Sequence, residues 1–441
     1  MRVLEYGKND MNAVFNRKGV PVIQAREAVR GIIESVRAEG DKALLEYTRR
    51  FDHVELRTIR VSDEEMTAAF ERIDPKVATA IRFAHKNITA LHKAQYRKIN
   101  RQWMTEIAPG VKVGERIAPI DSVGCYVPGG LAAYPSTVLM NIVPAKVAGV
   151  KRTVVVSPPK NMSDSVLAAC RIARVNEVYR VGGAQAIAAL AYGTESIKPV
   201  SKIVGPGNQY VVSAKLMVFG KVGIDSPAGP SEILIIADDS ADPSYIASDI
   251  LAQAEHSADA QCVLTTTSRR LANEAMRLVS ELAQASERKD IISSSLENFS
   301  VVLTRNLSES IDFANQYAPE HLEILTNYAD AVSKEIRNAG AIFIGPFSPV
   351  AAGDYASGGN HVLPTGGAAK FSGQLSVRDF LKSTSIQKIS KAGLKRIAPT
   401  ITTLAELEGL NEHRRSVEAR LEDQTSATES GFRPLKKQSL S

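Results

Sequence analysis

The chain has 441 residues, 44% of them hydrophobic and 23% charged, which is typical of a globular protein with a large core. Its three cysteines, Cys125, Cys170 and Cys262, are too few and too scattered for a disulfide framework and favour a reducing cytosol. The net charge of +6 is spread among acidic residues and forms no basic stripe, so nucleic acid is not an expected partner.

The strongest membrane signal is the segment 122–145, which has 24 residues without a charge. That length is enough for a membrane span, but prolines and glycines interrupt it and break helices. We therefore expect a buried loop with short elements here. Residues 1–8 lack the apolar core of a signal peptide, so a cytoplasmic protein without a membrane partner is expected.

Helices are predicted for the first 100 residues. Apolar residues recur at helical spacing through 29–36, and Gly40 suits the end of that helix. Asp41 can then cap the next helix. Ser62 and Glu65 have the spacing of a capping box ahead of a further helix that runs toward His92.

After about residue 150 the pattern changes to alternating strands and helices. The strand-like runs lie at 153–156, 177–181, 202–204, 233–237, 262–265, 301–303 and 342–344. Turns rich in Gly or Pro and helical stretches separate many of them, which is the βαβ pattern of a parallel sheet. Two α/β lobes are therefore predicted.

The predicted fold class is α/β, with two incomplete Rossmann-like lobes whose sheets are rich in parallel strands. A helical N-terminal arm and a C-terminal helical segment complete it. The predicted boundaries are 1–22 for the arm, 23–125 with 231–375 for the main lobe, 126–230 for the second lobe, 376–421 for the C-terminal segment and 422–441 for a disordered tail.

Two places have side chains that suit a metal ion. Gln253 and His256 are three residues apart near the end of a predicted helix, and an amide oxygen and an imidazole on one face can bind zinc. A polar pair at a helix end is the alternative. Asp354 lies in the glycine-rich segment GDYASGGNH at 353–361, where it can supply an oxygen ligand or form an Asx turn.

A candidate acid–base pair follows a proline. Glu320 and His321 come directly after Pro319 and before the apolar run 322–325, which is typical of a buried strand. An acid beside a histidine in such a setting suits a base and proton shuttle. A helix-to-strand junction whose polar groups cap the backbone is the alternative. His413, taken alone, is typical of a surface helix histidine.

Dinucleotide binding is indicated by two turns, although no G-x-G-x-x-G motif is present. Gly182-Gly183 and the GPG turn at 205–207 each follow a predicted strand and precede a helix. Backbone N–H groups and a helix N-terminus at such a turn suit a pyrophosphate.

Seven segments together resemble the histidinol dehydrogenase family. They are GCYVPGG at 124–130, VGGAQAIA at 181–188, GPGN at 205–208, AGPSE at 228–232, QAEH at 253–256, APEHL at 318–322 and GDYASGGNHVLPT at 353–365. The resemblance covers roughly residues 20–420. It implies a zinc-dependent, four-electron oxidation of L-histidinol through L-histidinal to L-histidine with two NAD+, the last steps of histidine biosynthesis.

The resemblance also implies roles for individual residues. One zinc ion per subunit is held by Gln253, His256, Asp354 and His413. His321 takes the proton of the alcohol, and Glu320 activates water for attack on the aldehyde. The substrate-binding residues implied are Ser231, Gln253, His256, His321, Asp354, His361, Glu408 and His413.

On the cofactor side, the resemblance implies that Tyr126, Gln185 and Asn208 contact NAD. It further implies a homodimer in which the C-terminal segment crosses to the partner, so that Glu408 and His413 act in the other subunit's site. The residues on either side of His413 are less typical of the family.

Two other functions remain open on the sequence. One is a related NAD-dependent enzyme that oxidises another small polar alcohol, such as a sulfonated propanediol. Ser231-Glu232 and the DYAS run at 354–357 favour histidinol over that alternative. The other is a zinc hydrolase in which Glu320 activates water, but a hydrolase has no need of paired dinucleotide-type turns.

Overall fold

The computed structural model describes residues 1–17, 22–129, 134–227 and 229–422. Its strands are β1 Arg2–Glu5, β2 Arg60–Val61, β3 Gln102–Ala108, β4 Val111–Pro119, β5 Ser122–Tyr126, β6 Arg152–Ser157, β7 Glu177–Arg180, β8 Lys202–Val204, β9 Gly223–Ile224, β10 Glu232–Ala237, β11 Gln261–Thr266, β12 Ser300–Leu303, β13 His321–Leu325, β14 Ala341–Ile344 and β15 Leu381–Ile389.

The α-helices alternate with these strands along much of the chain. They are α1 Asn12–Phe15, α2 Val22–Glu39, α3 Asp41–Tyr47, α4 Asp63–Arg72, α5 Pro75–Arg97, α6 Pro135–Ala148, α7 Asp164–Ile172, α8 Gly183–Tyr192, α9 Gln209–Val218, α10 Pro243–Ala254, α11 Arg269–Ala285, α12 Lys289–Ser295, α13 Leu307–Tyr317, α14 Ala329–Glu335, α15 Val350–Tyr355, α16 Lys391–Leu407 and α17 Asn411–Leu421.

The chain divides into two compact units. The large unit contains residues 1–98 and 119–381, and the small unit contains residues 99–118 and 382–441. The large unit has two sheets of six strands each, and we call the parts built on them lobe 1 and lobe 2.

Lobe 1 is built on a parallel sheet with the strand order β1-β12-β11-β10-β13-β14. Its central strand β10 is buried along its whole length. Ile233 and Ile235 belong to the core formed with α10 and α11, whereas Leu234 and Ile236 belong to the core formed with α13 and α14. A strand covered on both faces is apolar at every position, which explains the continuous run that predicted it.

Lobe 2 has the strand order β2-β7-β6-β5-β8-β9, parallel except for the short edge strand β2. Alanine-rich α8 packs with α9 and α2 in one core cluster on this sheet. The two parallel-rich α/β lobes predicted from the sequence are therefore confirmed.

The lobe boundaries differ from the predicted ones. The stripe at 29–36 in α2 is buried among α8 and α9 of lobe 2, not in the main lobe. Strand β5 also lies in the sheet of lobe 2. The periodicity of α2 predicts that it buries a face, but the identity of the surface it packs against depends on residues about 150 positions away.

Several elements were not predicted. Strand β1 pairs in parallel with β12 and makes the start of the chain part of the sheet of lobe 1. The small unit contains a three-stranded sheet in the order β15-β4-β3, with β3 and β4 antiparallel. The helices α16 and α17, which pack on each other, agree with the helical C-terminal segment.

Helix ends were predicted with mixed success. The capping box of Ser62 and Glu65 begins α4, as predicted. The helix expected to continue toward His92 is broken, because Asp74 caps a new helix with Pro75 at its first position. Gly40, with a φ of 55°, is the residue before α3, and Asp41 is the first residue inside that helix.

The uncharged segment 122–145 was interpreted wrongly as loop with short elements. It contains β5 and most of α6, a helix of 14 residues that is buried on nearly every side. Pro135 stands at the first position of α6, where its missing N–H costs nothing. In the ranges that the structure describes, no helix is long and apolar enough to cross a membrane. The predicted tail lies outside those ranges from residue 423 onward.

Candidate active site

A cleft in the large unit is lined by residues from both lobes. It is lined by Pro128, Tyr134, Ser136, Thr137, Pro206, Gly229, Ser231, His256, Glu320, His321, Asp354, Tyr355, His361, Val362, Leu363 and Thr365. Most of the residues that the sequence predicted for catalysis and substrate binding therefore meet in one place, although they come from segments far apart in the chain.

The two lobes present opposite ends of their strands to this cleft. Glu320 and His321 lie at the amino end of β13 in lobe 1. In lobe 2, Pro128 and Pro206 follow the carboxyl ends of β5 and β8. Carboxyl ends are the usual ligand-binding edge of a parallel sheet, so lobe 2 follows the general rule for nucleotide-binding sheets and lobe 1 does not.

Glu232, the first residue of β10, holds both members of the acid–base pair through its peptide groups. Its backbone N–H donates to Glu320 Oε2 at 2.8 Å. Its carbonyl oxygen lies 2.9 Å from His321 Nδ1. Because a carbonyl only accepts, Nδ1 carries the proton, and Nε2 of the neutral ring is free to accept one.

The unprotonated nitrogen of His321 is Nε2, and His321 lines the cleft. Nε2 is buried and has no hydrogen-bond partner within the described residues. It lies 3.8 Å from Asp354 Oδ1. A buried acceptor without a partner is unfavourable unless another molecule supplies one, so Nε2 marks where a hydroxyl group of a ligand can bind.

Burial shifts the pKa values of the acids and histidines that line the cleft. Burial lowers the pKa of His321 and that of His361 to about 4, and it lowers the pKa of His256. It raises the pKa of Asp354 to about 6 and that of Glu320 well above its usual range. At neutral pH the three imidazoles are therefore uncharged, which is the form that accepts protons or binds metals.

His361 is held by both lobes. Its Nδ1 lies 3.2 Å from the carbonyl oxygen of Asp354, and its Nε2 lies 3.4 Å from Oγ1 of Thr137 in α6. The carbonyl contact again assigns the proton to Nδ1. His361 therefore presents a neutral imidazole with Nε2 toward lobe 2.

The candidate metal ligands of the large unit sit where helices end. Gln253 is in the last turn of α10, and the N–H of His256 donates to the Gln253 carbonyl at 3.2 Å. Asp354 lies in the short helix α15, and the glycine-rich loop predicted to contain it begins only after Tyr355. Both helices follow strands of lobe 1 and so end near the amino edge of its sheet.

The four residues predicted as zinc ligands do not all lie together in the same compact unit of this chain. Within the described ranges, no three His, Cys, Asp or Glu side chains come close enough to hold a metal ion. Of the four predicted ligands, one is a glutamine and His413 belongs to the small unit. His413 is exposed in α17, and Glu408 directly follows α16.

The proposed cofactor residues lie near the carboxyl edge of lobe 2. Tyr126 ends β5, and its hydroxyl accepts the N–H of Gly183 at 3.1 Å. Gln185 is buried in α8, and its Oε1 has no hydrogen-bond partner in the described parts of the chain. Asn208 caps α9, since its Oδ1 accepts the N–H groups of Tyr210 and Val211.

A buried ion pair fixes the turn that precedes Asn208. Lys215 and Asp225 pair with each other, and each also bonds Gly205: Lys215 to its carbonyl at 3.0 Å and Asp225 to its N–H at 2.7 Å. Gly205 has a φ of +111°, and a Cβ there would collide with the carbonyl oxygen of Tyr126. Only glycine suits this position, which explains the GPGN turn.

Sequence reasoning missed residues that support the pair Glu320 and His321. Arg17 forms a buried ion pair with Glu232. Nothing in the local sequence of Arg17 distinguishes it from other basic residues, whereas Glu232, a charged residue opening an apolar strand, was a usable signal.

The fold and the cleft together define a two-lobed α/β enzyme with a buried acid–histidine pair beside a nucleotide-type sheet edge. The family model of histidinol dehydrogenase matches residues 16–421. The chain therefore belongs to the histidinol dehydrogenase family, and it is an oxidoreductase.

Individual relatives agree with that assignment. The chain is 49% identical to a histidinol dehydrogenase of Methanothermobacter thermautotrophicus over 96% of this chain and 100% of the relative. It is 49% identical to one of Geobacillus kaustophilus over 90% of this chain and 94% of the relative. Among solved structures, a histidinol dehydrogenase from Elizabethkingia anophelis matches with a TM-score of 0.90 and 37% identity, covering 96% of this chain and 98% of that one.

Proposed function

We propose that this protein oxidises L-histidinol through L-histidinal to L-histidine with two NAD+ and one zinc ion per subunit. The observation that carries the proposal is the pairing of Glu320 and His321 on the peptide groups of Glu232, in the same cleft as His256, Asp354 and His361. The family name supports the substrate.

His321 acts in the first oxidation. Its Nε2 is unprotonated and takes the hydroxyl proton of the alcohol as the carbon-bound hydrogen leaves with its electron pair as hydride. The products of this step are the aldehyde, reduced nicotinamide and one proton. The low pKa of His321, a consequence of burial, keeps the ring neutral and ready to accept at neutral pH.

Glu320 acts in the second oxidation. Water adds to the aldehyde carbon, Glu320 accepts a proton from that water, and a second hydride leaves to give the carboxylic acid. Burial raises the pKa of Glu320, and a base is most efficient when its pKa is close to the working pH. A buried cleft also keeps the aldehyde away from side reactions.

Gln253, His256 and Asp354 of one subunit would hold zinc, with His413 of the partner subunit as the fourth ligand. An amide, two imidazoles and a carboxylate suit a borderline cation. Gln253 is buried near the end of α10, and the oxygen of its amide is the atom that would coordinate the ion. When bound, zinc supplies an anchor for the imidazole and amino nitrogens of histidinol.

The remaining residues bind and orient the reactants. Ser231 and His361 would contact histidinol, together with Glu408 of the partner subunit. On lobe 2, Tyr126, Gln185 and Asn208 would contact NAD, which supplies the hydride acceptor when bound. Holding the bound reactants in the right orientation lowers the activation barrier by several kcal/mol, and by about 7–11 kcal/mol in favourable cases.

One assay tests the proposal. Purified protein is incubated with zinc, NAD+ and L-histidinol, and the absorbance of reduced nicotinamide is followed together with the histidine formed. Two reduced cofactors per histidine are expected, because alcohol to acid is a four-electron oxidation. Turnover of a sulfonated propanediol but not of histidinol would favour the other substrate, and hydrolysis without NAD+ would contradict the reaction class.

A further inference from the structure

We propose that Arg17 and Glu232 are positioning residues for the oxidation, because their ion pair holds the peptide groups that orient Glu320 and His321. This inference rests on the proposed function. It assigns a supporting role in catalysis to the segment before α2. None of the described residues of that segment lines the cleft.

The ion pair is buried and has several anchors. Arg17 Nη1 lies 2.6 Å from Glu232 Oε2, and the side chains are 8% and 1% exposed. Arg17 also donates to the carbonyl of Tyr317, and its guanidinium lies 3.9 Å from the centre of the Tyr317 ring. The other carboxylate oxygen of Glu232 accepts the N–H of Gly366 at 3.1 Å. A charge-assisted set of this kind defines the position of Glu232 closely.

The backbone of Glu232 transmits that position to the reacting groups. Its N–H bonds Glu320 Oε2, and its carbonyl accepts from His321 Nδ1. The ladder between β10 and β13 begins only at the pair Ile233 and His321, so Glu232 lies just beyond that ladder. On the side that faces β13, the position of Glu232 is therefore held by the hydrogen bonds and the ion pair of its side chain, and not by strand pairing.

Loss of the ion pair has a specific expected effect. Without Arg17, the buried Glu232 carboxylate has no cation as a partner. It therefore moves toward water, because an unpaired charge in the protein interior has a higher free energy. The two peptide bonds to Glu320 and His321 then loosen. Displacements of about 1 Å in a catalytic group lower rates about 100-fold.

The first test is Arg17→Met, which keeps most of the apolar stem of the side chain. We expect kcat to fall about 100-fold, while the KM for histidinol and the zinc content stay close to wild type. Arg277→Met is the matched control, because Arg277 is exposed on α11 and pairs with Glu274 and Glu281 on the same helix. The control is expected to leave kcat unchanged.

Chemical rescue separates positioning from folding. Arg17 lines a second, polar cavity together with Asp312, Asn315, Gly366 and Lys370, so a small cation can enter beside Glu232. Millimolar guanidinium is expected to restore part of the lost kcat of Arg17→Met and to leave wild type unaffected. A kcat per folded molecule equal to wild type, or a loss that guanidinium does not relieve, would overturn the inference.

A structural measurement does not depend on the substrate. In Arg17→Met, amide hydrogen exchange should become faster in peptides covering 231–237 and 319–325 and stay unchanged in β5. If wild type does not oxidise histidinol, the proposed function fails and exchange alone decides the positioning: unchanged exchange overturns it. Glu232→Gln, which keeps the size of the side chain, provides a second variant and is expected to show the same exchange pattern and a smaller loss of kcat.

Discussion

The two lobes build their shares of the cleft in different ways. Lobe 2 contributes the turns at the carboxyl ends of β5 and β8, which consist largely of backbone groups and small residues. Lobe 1 contributes ionisable side chains at the amino ends of β10 and β13, all of them buried.

This difference separates two kinds of site. A turn after a strand is formed by residues adjacent in the chain, although Lys215 and Asp225 also hold the turn at Gly205. The cluster in lobe 1 joins Arg17, Glu232, Glu320 and Asp354, which only the packed sheet brings together. Buried ionisable groups have shifted pKa values, and such shifts are common at catalytic sites.

The largest expected effect is in lobe 1. His321→Asn can keep the hydrogen bond to the Glu232 carbonyl but has no group in the place of Nε2, so the proton acceptor is lost. We expect kcat to fall about 10²–10⁴-fold with zinc retained, measured by nicotinamide reduction and metal analysis.

A second variant, His256→Ala, separates zinc binding from proton transfer when it is compared with His321→Asn. It should lose zinc as well as activity, since His256 is a proposed ligand. His85→Gln, on α5 outside the cleft lining, is the control and should keep both zinc and activity. Equal zinc content in the His321 and His256 variants would contradict the division of roles.

The next effect is in lobe 2 and depends on backbone geometry. Gly205→Ala places a methyl group against the Tyr126 carbonyl and should raise the KM for NAD+ about tenfold, roughly 1.4 kcal/mol of binding. Gly220→Ala is the matched control: its φ of +96° is equally unusual, but a Cβ there meets nothing within 4 Å.

Both glycine variants pay for a left-handed backbone, about 1–2 kcal/mol each, and thermal unfolding should report that cost in both. Only Gly205→Ala should change the KM for NAD+, measured by initial rates at saturating histidinol. The same KM in the two variants would mean that the turn at 205–208 does not contact the cofactor, and the contrast between the lobes would fail.

The smallest effect tests the cost of buried acids in lobe 1. Glu323 on β13 is buried beside Asp249, and burial with the neighbouring carboxyl raises the pKa of Glu323. An acid with a raised folded-state pKa stabilises the fold below its unfolded pKa of about 4.3, and that stability is lost as the pH rises toward the raised value.

Glu323→Gln removes that titration. Between about pH 6 and pH 8 the stability of wild type should fall by roughly 1 kcal/mol more per pH unit than that of the variant, as measured by thermal unfolding at one scan rate. Glu274→Gln, exposed on α11, should keep the slope of wild type. Parallel slopes for wild type and Glu323→Gln would show that this acid does not titrate on unfolding.

Local patterns predicted the elements well where one short segment decides the outcome. The runs 177–181 and 202–204 correspond to β7 and β8 with their Gly turns. The prediction for 122–145 was wrong because prolines were counted as helix breakers, whereas α6 continues through Pro144 in its interior. Pro135 at the first position of α6 does not break a helix.

Packing partners were not predictable in the same way. The spacing of the apolar residues in α2 predicted which face of the helix is buried, but it did not predict that this face packs on lobe 2. Among the residues that line the cleft, Glu320, His321, Asp354 and His361 were predicted from motifs. Arg17 was not predicted, because its partner Glu232 is 215 positions away in the sequence.

The amino-acid sequence by itself determined the alternation of strands and helices, the glycine turns of lobe 2 and the family to which the chain belongs. These depend on neighbouring residues, whose short-range sterics and hydrogen bonds act before any long loop closes. The tertiary structure alone decided that the amino ends of β10 and β13 carry the acid–histidine pair, and that Arg17 supports it. Those contacts join distant residues, and their energies arise only once burial excludes water from them.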